Sequence, residues 1–465
     1  MSGVVVNDIH SQLNATSVAR LLEPAGLDEI VEAVRAARNA GAQLSLCGGR
    51  HAMGGQQFGT DAWLLDLRRH AAIHSFDEER GIIVADAGIQ WPELIAGCAA
   101  LHRGNRRAWG IRQKQTGADR LTLGGSLSAN IHGRGLRMPP IIADVEAFTL
   151  VDASGNVRQC SRTQDADLFR LAIGGYGLFG IIADVALRLM PRVKVERRVE
   201  VISLEELLRV PEERDTREWL FGDFQYSIDE HSPDFLRRGV FSAYHRVEDE
   251  RPVPDEQREL GDDDWRRLLL LAHTDRARVF EEYAGYYLST NGQLYWSDTH
   301  QLGTYFDGYH AEIDRQLAAS YESSEMITEI YVPRPALGAF MGHAAELLRR
   351  GGVPVIYGTI RLIERDEESF LAWAREPWAC IIFNLCVAHT PPGLAAAQTV
   401  FRGLIDLAIA QGGSYYLTYH RWASRAQVEA CHPRFREFLR LKEAHDPTAL
   451  FTSDWHRHYR ALFAT

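Results

Sequence analysis

The stretch that decides the fold is Cys-Gly-Gly-Arg-His-Ala-Met-Gly-Gly, residues 47–55, which follows the apolar run 42–46. Glycine has no Cβ, so a glycine-rich turn bends sharply and lets a ligand approach its backbone. Successive backbone N–H groups in such a turn form a concave anion site suited to a pyrophosphate. His51, near the middle of this first loop, is then either a polar contact or a nucleophile beside the ligand.

A second glycine-rich segment occupies residues 116–135, with Gly-Gly-Ser at 124–126 and a histidine at position 132. A single segment of this kind is more simply a tightly packed turn. Two of them in the amino-terminal half, each after a strand-like run, favour a nucleotide cofactor. The G-x-G-x-x-G pattern at 175–180 is not a dinucleotide fingerprint, because a helical pattern precedes it and a strand pattern follows, the reverse of what that site requires. Its turn can still lie against a cofactor.

Size and charge narrow the class of protein. A chain of 465 residues is too long for one ordinary core, so two domains are expected. The net charge of −11 argues against nucleic-acid binding. No apolar run reaches the roughly 18 residues of a membrane span, and the first residues lack a signal-peptide pattern, so we expect a cytoplasmic protein. Six cysteines without a C-x-x-C pair indicate reduced thiols, and we expect no metal site.

Periodicity predicts a mixed α+β chain. A helix is expected over 27–40 and a hairpin over 145–161, with its turn at Gly155-Asn156. Strands rich in β-branched residues follow in a mostly antiparallel sheet, at 326–332, 353–363 and 380–389. Residues 414–420 also read as a strand, in which alternation puts Tyr416 and Tyr419 on opposite faces.

Four motifs in order resemble the vanillyl-alcohol-oxidase type of flavoproteins, whose FAD domain is also called PCMH-type. They are CGGRHAMGG (47–55), LTLGGSLSANIHG (121–133), GLFGII (177–182) and DPTALF (446–451). The resemblance covers essentially the whole chain. It implies an FAD-binding domain of two subdomains at 15–192 and a substrate or cap domain with a mainly antiparallel sheet at 193–410. A carboxy-terminal segment, 411–465, would return to the FAD domain.

Within that superfamily the chain is most similar to the decaprenylphosphoryl-ribose 2′-oxidase group, at NIHGRG (130–135), FNLCV (383–387) and residues 431–455. That group has a lysine where Tyr419 stands here, and its first loop lacks a histidine, which argues against a lipid-linked pentose substrate. His51 instead matches the Gly-His-Ser loop of cytokinin dehydrogenases and alditol oxidases, whose histidine bonds to the flavin 8α-methyl carbon. The resemblance therefore implies FAD bound covalently through His51, the alternative being a free histidine near the ribityl chain.

The same resemblance implies a set of FAD contacts from both glycine segments, from the turn before residue 182 and from the carboxy-terminal segment. They are Cys47, Gly48, Gly49, Arg50, His51, Ala52, Met53, Gly54, Gly117, Thr122, Gly124, Gly125, Ser126, Ser128, Ala129, Asn130, His132, Ile182 and Tyr416. His132 is either a contact to flavin or substrate or a structural hydrogen-bonding residue in a crowded loop.

Alcohol oxidation by a flavin needs a base for the hydroxyl proton and groups that orient the substrate. Tyr419 and His420 are the alternative bases. Arg361, on a strand that resembles the Glu-x-Arg strand of alditol oxidases, is expected to stabilise negative charge. Glu329 is expected to bind substrate, and Asn384 and Cys386 to face the flavin from one strand.

We therefore expect an FAD-linked oxidase or dehydrogenase that acts on an alcohol group of a sugar, polyol or related small molecule. Its electrons would pass to oxygen or to another acceptor. The alternatives are a flavin enzyme that reduces a carbon–carbon double bond and a non-catalytic protein that retains the fold.

Overall fold

A computed structural model describes residues 3–101, 108–213, 216–248, 250, 252–254, 257–303, 305–306 and 308–464. Its strands are short in the first half of the chain and long in the second. In chain order they are β1 (Val4–Val6), β2 (Thr16–Val18), β3 (Arg20–Leu22), β4 (Leu44–Cys47), β5 (Trp63–Asp66), β6 (Ile73–Asp77), β7 (Ile82–Asp86), β8 (Trp109–Gly110), β9 (Val145–Val151), β10 (Val157–Ser161), β11 (Ile181–Arg188), β12 (Met190–Pro191), β13 (Lys194–Ser203), β14 (Trp219–Tyr226), β15 (Arg238–Arg246), β16 (Leu294–Trp296), β17 (Ser323–Pro333), β18 (Val355–Ile363), β19 (Trp378–Ala388) and β20 (Ser414–Tyr415).

The α-helices of the described residues lie between and after these strands. They are α1 (Leu27–Asn39), α2 (Trp91–Leu101), α3 (Leu123–Ala129), α4 (Ala166–Ala172), α5 (Leu204–Glu213), α6 (Asp262–Thr274), α7 (Arg276–Ser289), α8 (Tyr309–Gln316), α9 (Leu337–Gly351), α10 (Pro391–Ala410), α11 (Arg425–Cys431), α12 (Phe435–His445) and α13 (Asp454–Ala464).

In the described residues of the first half, two small sheets lie beside the two-stranded pairs β1-β2 and β12-β8. A parallel sheet has the strand order β3-β5-β4, and an antiparallel sheet has the order β10-β9-β11-β7-β6. Helix α1 packs its buried face, which includes Ile30 and Val34, into the core that also holds Leu44 of β4. The hairpin is confirmed, with Val151 opposite Val157. The helix–glycine–strand order around 175–180 is confirmed as well, because α4 comes before the glycines and β11 after them.

An eight-stranded sheet dominates the second half, with the order β16-β13-β15-β14-β18-β19-β17-β20 and antiparallel pairing throughout. Directly paired residues of an antiparallel sheet project to the same face. In β17, Glu329 pairs with Ile382 of β19, which pairs with Thr359 of β18. This register puts Glu329 on one face with the odd-numbered residues of β18. The chain is therefore of the α+β class, as expected, whereas the three domain boundaries stay predictions.

The carboxy-terminal segment contacts both halves. Thr452 and Leu450 exchange backbone hydrogen bonds with Leu44 of β4, at 2.8 and 2.6 Å. At its other end, β20 forms the edge of the eight-stranded sheet. The prediction of one strand over 414–420 is wrong, because only Ser414–Tyr415 is a strand and residues 417–418 form a turn. Alternation therefore does not apply beyond Tyr415.

One helix in the described part of the chain, α10, is long and apolar enough to cross a bilayer by length and composition. Our expectation that no segment reaches this length is therefore wrong. The helix packs against α9 and against β17, β19 and β20 of the large sheet, with Phe401 and Leu404 fully buried. A core helix of this kind passes the same test, so α10 is weak evidence for a membrane span.

Candidate functional site

A cleft runs between the first-half sheets and the eight-stranded sheet and encloses about 1300 Å³ of empty space, part of it open to solvent. Both glycine segments line it, and so does the turn that contains Gly177 and Gly180. The facing wall comes from β17, through Ile327 and Glu329, and from the turn after β20. The elements that the sequence motifs pointed to therefore meet at one place.

The glycines of the first loop are required by the loop's own packing. A Cβ added to Gly48 would lie 2.1 Å from the Thr122 Oγ1 of the second segment, and one on Gly49 would lie 2.1 Å from the Arg120 carbonyl oxygen. Arg50, which directly follows these two glycines, has a left-handed φ of 59°. The two glycine segments thus contact each other directly and form one continuous wall of the cleft. Gly49 is required by the close approach of the Arg120 backbone, and Gly48 by the close approach of the Thr122 side chain.

Among the described residues, several buried polar atoms around the cleft lack a hydrogen-bond partner. They belong to residues that line the cleft, and they are Arg50 Nε, His51 Nε2, Gln56 Oε1, Gln57 Oε1 and Thr418 Oγ1. Buried polar groups are almost always hydrogen-bonded, and leaving one without a partner costs about 1–3 kcal/mol. A polar ligand with phosphate, ribityl and ring heteroatoms supplies such partners. The residues present therefore fit FAD.

His51 is buried in this wall and contacts a second histidine. Its Nδ1 lies 2.8 Å from the Nε2 of His10, and the ring centroids are 5.0 Å apart. Burial lowers the pKa of His51 to about 4, an effect that the nearby Arg120 carbonyl partly offsets and the charge of Lys114 reinforces. His51 is therefore a neutral imidazole at pH 7, the form in which a ring nitrogen carries a lone pair.

On the opposite wall, Glu329 is a fully buried carboxylate with several donors. Its Oε1 lies 2.7 Å from the His132 Nε2 and accepts a hydrogen bond from the Tyr331 hydroxyl at 2.5 Å. Burial alone would raise its pKa, but the charge and hydrogen bond of His132, with the Tyr331 hydroxyl and Arg361, hold the pKa below its usual range. The cleft wall therefore contains an ionised carboxylate.

His132, Glu329 and Cys380 also form a potential metal-ligand group, since one donor atom of each lies within 4.8 Å of the others. This group is a candidate against the expectation that the chain has no metal site. His132 Nε2 already contacts Glu329, and the Cys380 sulfur lies farther from it, at 3.8 Å. Burial raises the pKa of the Cys380 thiol well above its ordinary value, which disfavours the thiolate that a metal needs. The hydrogen-bonded pair is the better description of this group.

Two predicted catalytic residues, Arg361 and Tyr419, are close to this carboxylate. Tyr419 lines the cleft, and burial, reinforced by the charge of Glu329, raises its pKa well above 10 although Arg361 opposes the shift. Arg361 donates to the Thr116 Oγ1 at 2.8 Å, whereas its buried Nε and Nη1 lack partners. Tyr419 is therefore a hydrogen-bond donor at neutral pH and a poor base, and Arg361 offers two free N–H groups.

Arg361 does not line the cleft, and neither do three other predicted residues, His420, Asn384 and Cys386. His420 is buried on the opposite side of β17, 3.4 Å from the Thr328 hydroxyl and in ring contact with Phe401. This placement does not support His420 as a base. Asn384 and Cys386 share the sheet face of Glu329 but lie farther along β19, where the Asn384 amide donates to Glu325 at 3.3 Å.

Three predicted FAD contacts are structural in this arrangement. The Gly54 N–H donates to the Thr418 carbonyl at 3.1 Å, and Ser126 accepts from the Trp91 indole at 3.1 Å. Asn130 donates to Asp366 at 2.8 Å. The remaining predicted contacts, sixteen in number, line the cleft: Cys47, Gly48, Gly49, Arg50, His51, Ala52, Met53, Gly117, Thr122, Gly124, Gly125, Ser128, Ala129, His132, Ile182 and Tyr416.

Sequence reasoning missed several polar residues of the cleft, among them His10, Gln56, Gln57, Gln115 and Thr418. Gln56 donates to the Thr418 carbonyl at 2.8 Å and so joins the first loop to the carboxy-terminal turn. Its position directly after the glycines was the available signal. His10 had none, because it comes from a segment without helical or strand periodicity.

Comparison with known proteins agrees with this geometry. Residues 18–161 match the model of the family described as the FAD binding domain. This part of the chain, which carries both glycine segments, is therefore an FAD-binding domain.

Curated relatives are oxidoreductases. L-Gulono-1,4-lactone dehydrogenase of Mycobacterium tuberculosis is 21% identical over 440 residues, which are 94% of this chain and 95% of the relative. Cytokinin dehydrogenase 7 of rice (Oryza sativa subsp. japonica) is 32% identical over 201 residues, 40% of this chain and 36% of the relative. D-Arabinono-1,4-lactone oxidase of Saccharomyces cerevisiae is 26% identical over 194 residues, which are 41% of this chain and 35% of the relative. The chain thus matches about a third of the length of the latter two relatives.

Proposed function

We propose that this protein is an FAD-dependent oxidoreductase that oxidises an alcohol group of a sugar, polyol or related small molecule. The observation that carries the proposal is the cleft, in which an FAD-binding wall with unpartnered polar atoms faces a buried, ionised carboxylate. The lactone dehydrogenase that aligns along nearly the whole chain supports a sugar-like substrate.

The two glycine segments would hold FAD, with Arg50 and the backbone of the first loop as the groups for its phosphates. When bound, FAD supplies the two-electron chemistry. On the facing wall, the Tyr419 hydroxyl orients a substrate oxygen. Arg361 is outside the lining, and its charge and unpartnered N–H groups stabilise negative charge near Glu329 from there. Glu329 takes the hydroxyl proton, because its Oε2 adds acceptor sites to those that His132 and Tyr331 occupy on Oε1.

We also propose that His51 carries the FAD covalently. It lies in the first loop, it is neutral, and its Nε2 lacks a partner. The test is acid precipitation of the purified protein, with absorbance at 450 nm measured in pellet and supernatant. Yellow colour that stays in the pellet of the natural protein, and leaves it in His51→Ala, is the expected result. Complete release of flavin from the natural protein by acid would contradict the link.

The reaction itself is tested by anaerobic mixing with candidate donors. L-Gulono-1,4-lactone and a panel of polyols are expected to bleach the flavin band, and oxygen or an artificial acceptor to restore it. Reduction by NADPH without bleaching by any donor would favour the reductase alternative, and a colourless protein the non-catalytic one. Within the superfamily we propose a position near the decaprenylphosphoryl-ribose 2′-oxidase group, with a substrate other than a lipid-linked pentose because Tyr419 replaces that group's lysine.

A further inference from the structure

We propose that His10 is the positioning residue and proton acceptor that prepares His51 for attachment to FAD. The inference rests on the proposed covalent link and names the second residue that the link requires. His10 lines the same cleft as His51, and its Nε2 lies 2.8 Å from the His51 Nδ1.

The backbone around His10 is fixed from both sides of the cleft. The N–H of the preceding residue, Ile9, donates to the Arg50 carbonyl at 3.2 Å. Its carbonyl accepts from the Tyr305 hydroxyl at 3.0 Å, and the Tyr305 ring packs edge-on against the His10 ring at 4.5 Å. One residue farther on, the Ser11 carbonyl accepts from the Ser324 hydroxyl of β17 at 2.6 Å. His10 is therefore held against His51.

The hydrogen bond between His51 Nδ1 and His10 Nε2 contains one hydrogen, because both rings are neutral. Burial lowers the pKa of both, and the nearby His51 and His310 lower that of His10 further, so neither ring is charged at pH 7. The charged group that faces His51 is Lys114, which also disfavours a protonated ring. In the tautomer in which His51 Nδ1 donates to His10 Nε2, the lone pair of His51 is on Nε2, which has no hydrogen-bond partner among the described residues although the Arg120 carbonyl lies nearby. This arrangement gives His51 a nucleophilic nitrogen within the cleft.

Attachment of the flavin to His51 is a two-electron oxidation, and dioxygen is the oxidant that balances it. A bond forms between His51 Nε2 and the 8α carbon of the flavin, and one 8α C–H bond breaks. As Nε2 becomes substituted, the proton on Nδ1 passes to His10 and then to solvent. Two electrons and two protons are lost from the pair of reactants, and dioxygen takes them to give hydrogen peroxide. His10 acts where positive charge would otherwise accumulate on the His51 ring.

The experiment measures attachment directly, without a substrate. The natural protein, His10→Ala and His10→Gln are prepared as apoprotein from flavin-deficient cells and mixed with FAD in air. The acid-stable fraction of flavin is then followed with time. Because general acid–base groups contribute about 10²–10⁴-fold, we expect attachment at least about 100-fold slower in both variants. Exposed His343, on α9, provides the matched control His343→Ala, which is expected to attach FAD at the natural rate.

A purely structural role of His10 would give a different pattern. Added imidazole is expected to restore part of the attachment rate in His10→Ala, because it fills the vacated space and accepts the proton. Added imidazole is expected to have no such effect in His51→Ala. A natural rate in either His10 variant, or slow attachment in His10→Ala that imidazole does not change, would overturn the role of His10 while the link stands. Acid-labile flavin in the natural protein would overturn both proposals.

Discussion

At the scale of single residues, the charge of the buried Glu329 carboxylate is stabilised by the groups around it. Its pKa lies below the ordinary value of 4.5 although it is fully buried, because His132, Tyr331 and Arg361 outweigh desolvation. Replacing one partner of a buried ion pair leaves the other uncompensated, at a cost of about 3–5 kcal/mol. We expect Glu329→Gln to lower the free energy of unfolding by about that amount at pH 7, measured by urea unfolding.

The pH dependence of this loss follows from the direction of the shift. A carboxyl whose folded pKa is depressed stabilises the protein above its unfolded pKa, and the contribution is lost as pH falls through the folded value. The difference between the natural protein and Glu329→Gln should therefore be full above about pH 5 and shrink below pH 4.5. Glu322, whose side chain is 91% exposed, supplies the control Glu322→Gln, expected to change stability by less than about 0.5 kcal/mol. An equal loss at pH 3.5 and pH 7 would show that charge is not the cause.

At the scale of elements, the contact between the two glycine segments decides whether the cleft forms. A methyl group on Gly49 would meet the Arg120 carbonyl, a backbone atom that cannot rotate away. Overpacking of this kind costs about 1–3 kcal/mol. We expect Gly49→Ala to lower the thermal midpoint and to reduce the FAD content on purification, read as the ratio of absorbance at 450 and 280 nm.

Gly342, inside α9, is the matched control for that substitution. Nothing lies within 4 Å of the Cβ it would gain, and an alanine in a helix interior stabilises by about 0.5–1 kcal/mol over glycine. Gly342→Ala should therefore keep its FAD and melt slightly higher. If Gly49→Ala retained full FAD content, the wall formed by the two loops would be more adaptable than its packing indicates.

The same elements show how far sequence reasoning reaches. The glycine segments, the hairpin at 145–161 and the strands 326–332, 353–363 and 380–389 were predictable, because turn chemistry and local periodicity specify them. The turn after Tyr415 was not, since its residues are as apolar and aromatic as a strand and tertiary contacts bend the chain there. For the same reason the sequence left Tyr419 and His420 as equal candidates for the base. The fold separates them, because Tyr419 lines the cleft and His420 is buried behind it.

At the scale of the whole molecule, a buried ion pair within the carboxy-terminal segment supports the residues that connect this segment to the FAD-binding half. Lys442 of α12 contacts Asp446, whose carboxylate also accepts from the Leu450 and Phe451 N–H groups at 3.0 and 2.8 Å. Leu450 in turn accepts from Leu44 of β4, directly before the first loop. We expect Lys442→Met to cost about 3–5 kcal/mol in urea unfolding and to lower FAD content, because Asp446 is left buried without its cation.

Two further variants separate charge from packing in that prediction. Arg440→Met, on an exposed position of the same helix, is expected to be near neutral. Lys442→Met combined with Asp446→Asn should recover part of the loss, because the remaining group is then neutral and its amide oxygen can still accept from the backbone. No recovery in the double variant would point to the packing of the Lys442 side chain instead.

The turn after β20 has a consequence for how the protein is made. Tyr416, Thr418 and Tyr419 complete the cleft wall, and residues 450–452 brace the strand before the first loop. The ribosome synthesises these residues after both glycine segments. Domains generally fold as they are synthesised, but here both glycine segments are made before the residues that complete the cleft. The cleft is therefore complete only once residue 452 has been synthesised, and a ribosome that stalls before position 411 leaves a chain with both glycine segments but without the residues that close the cleft.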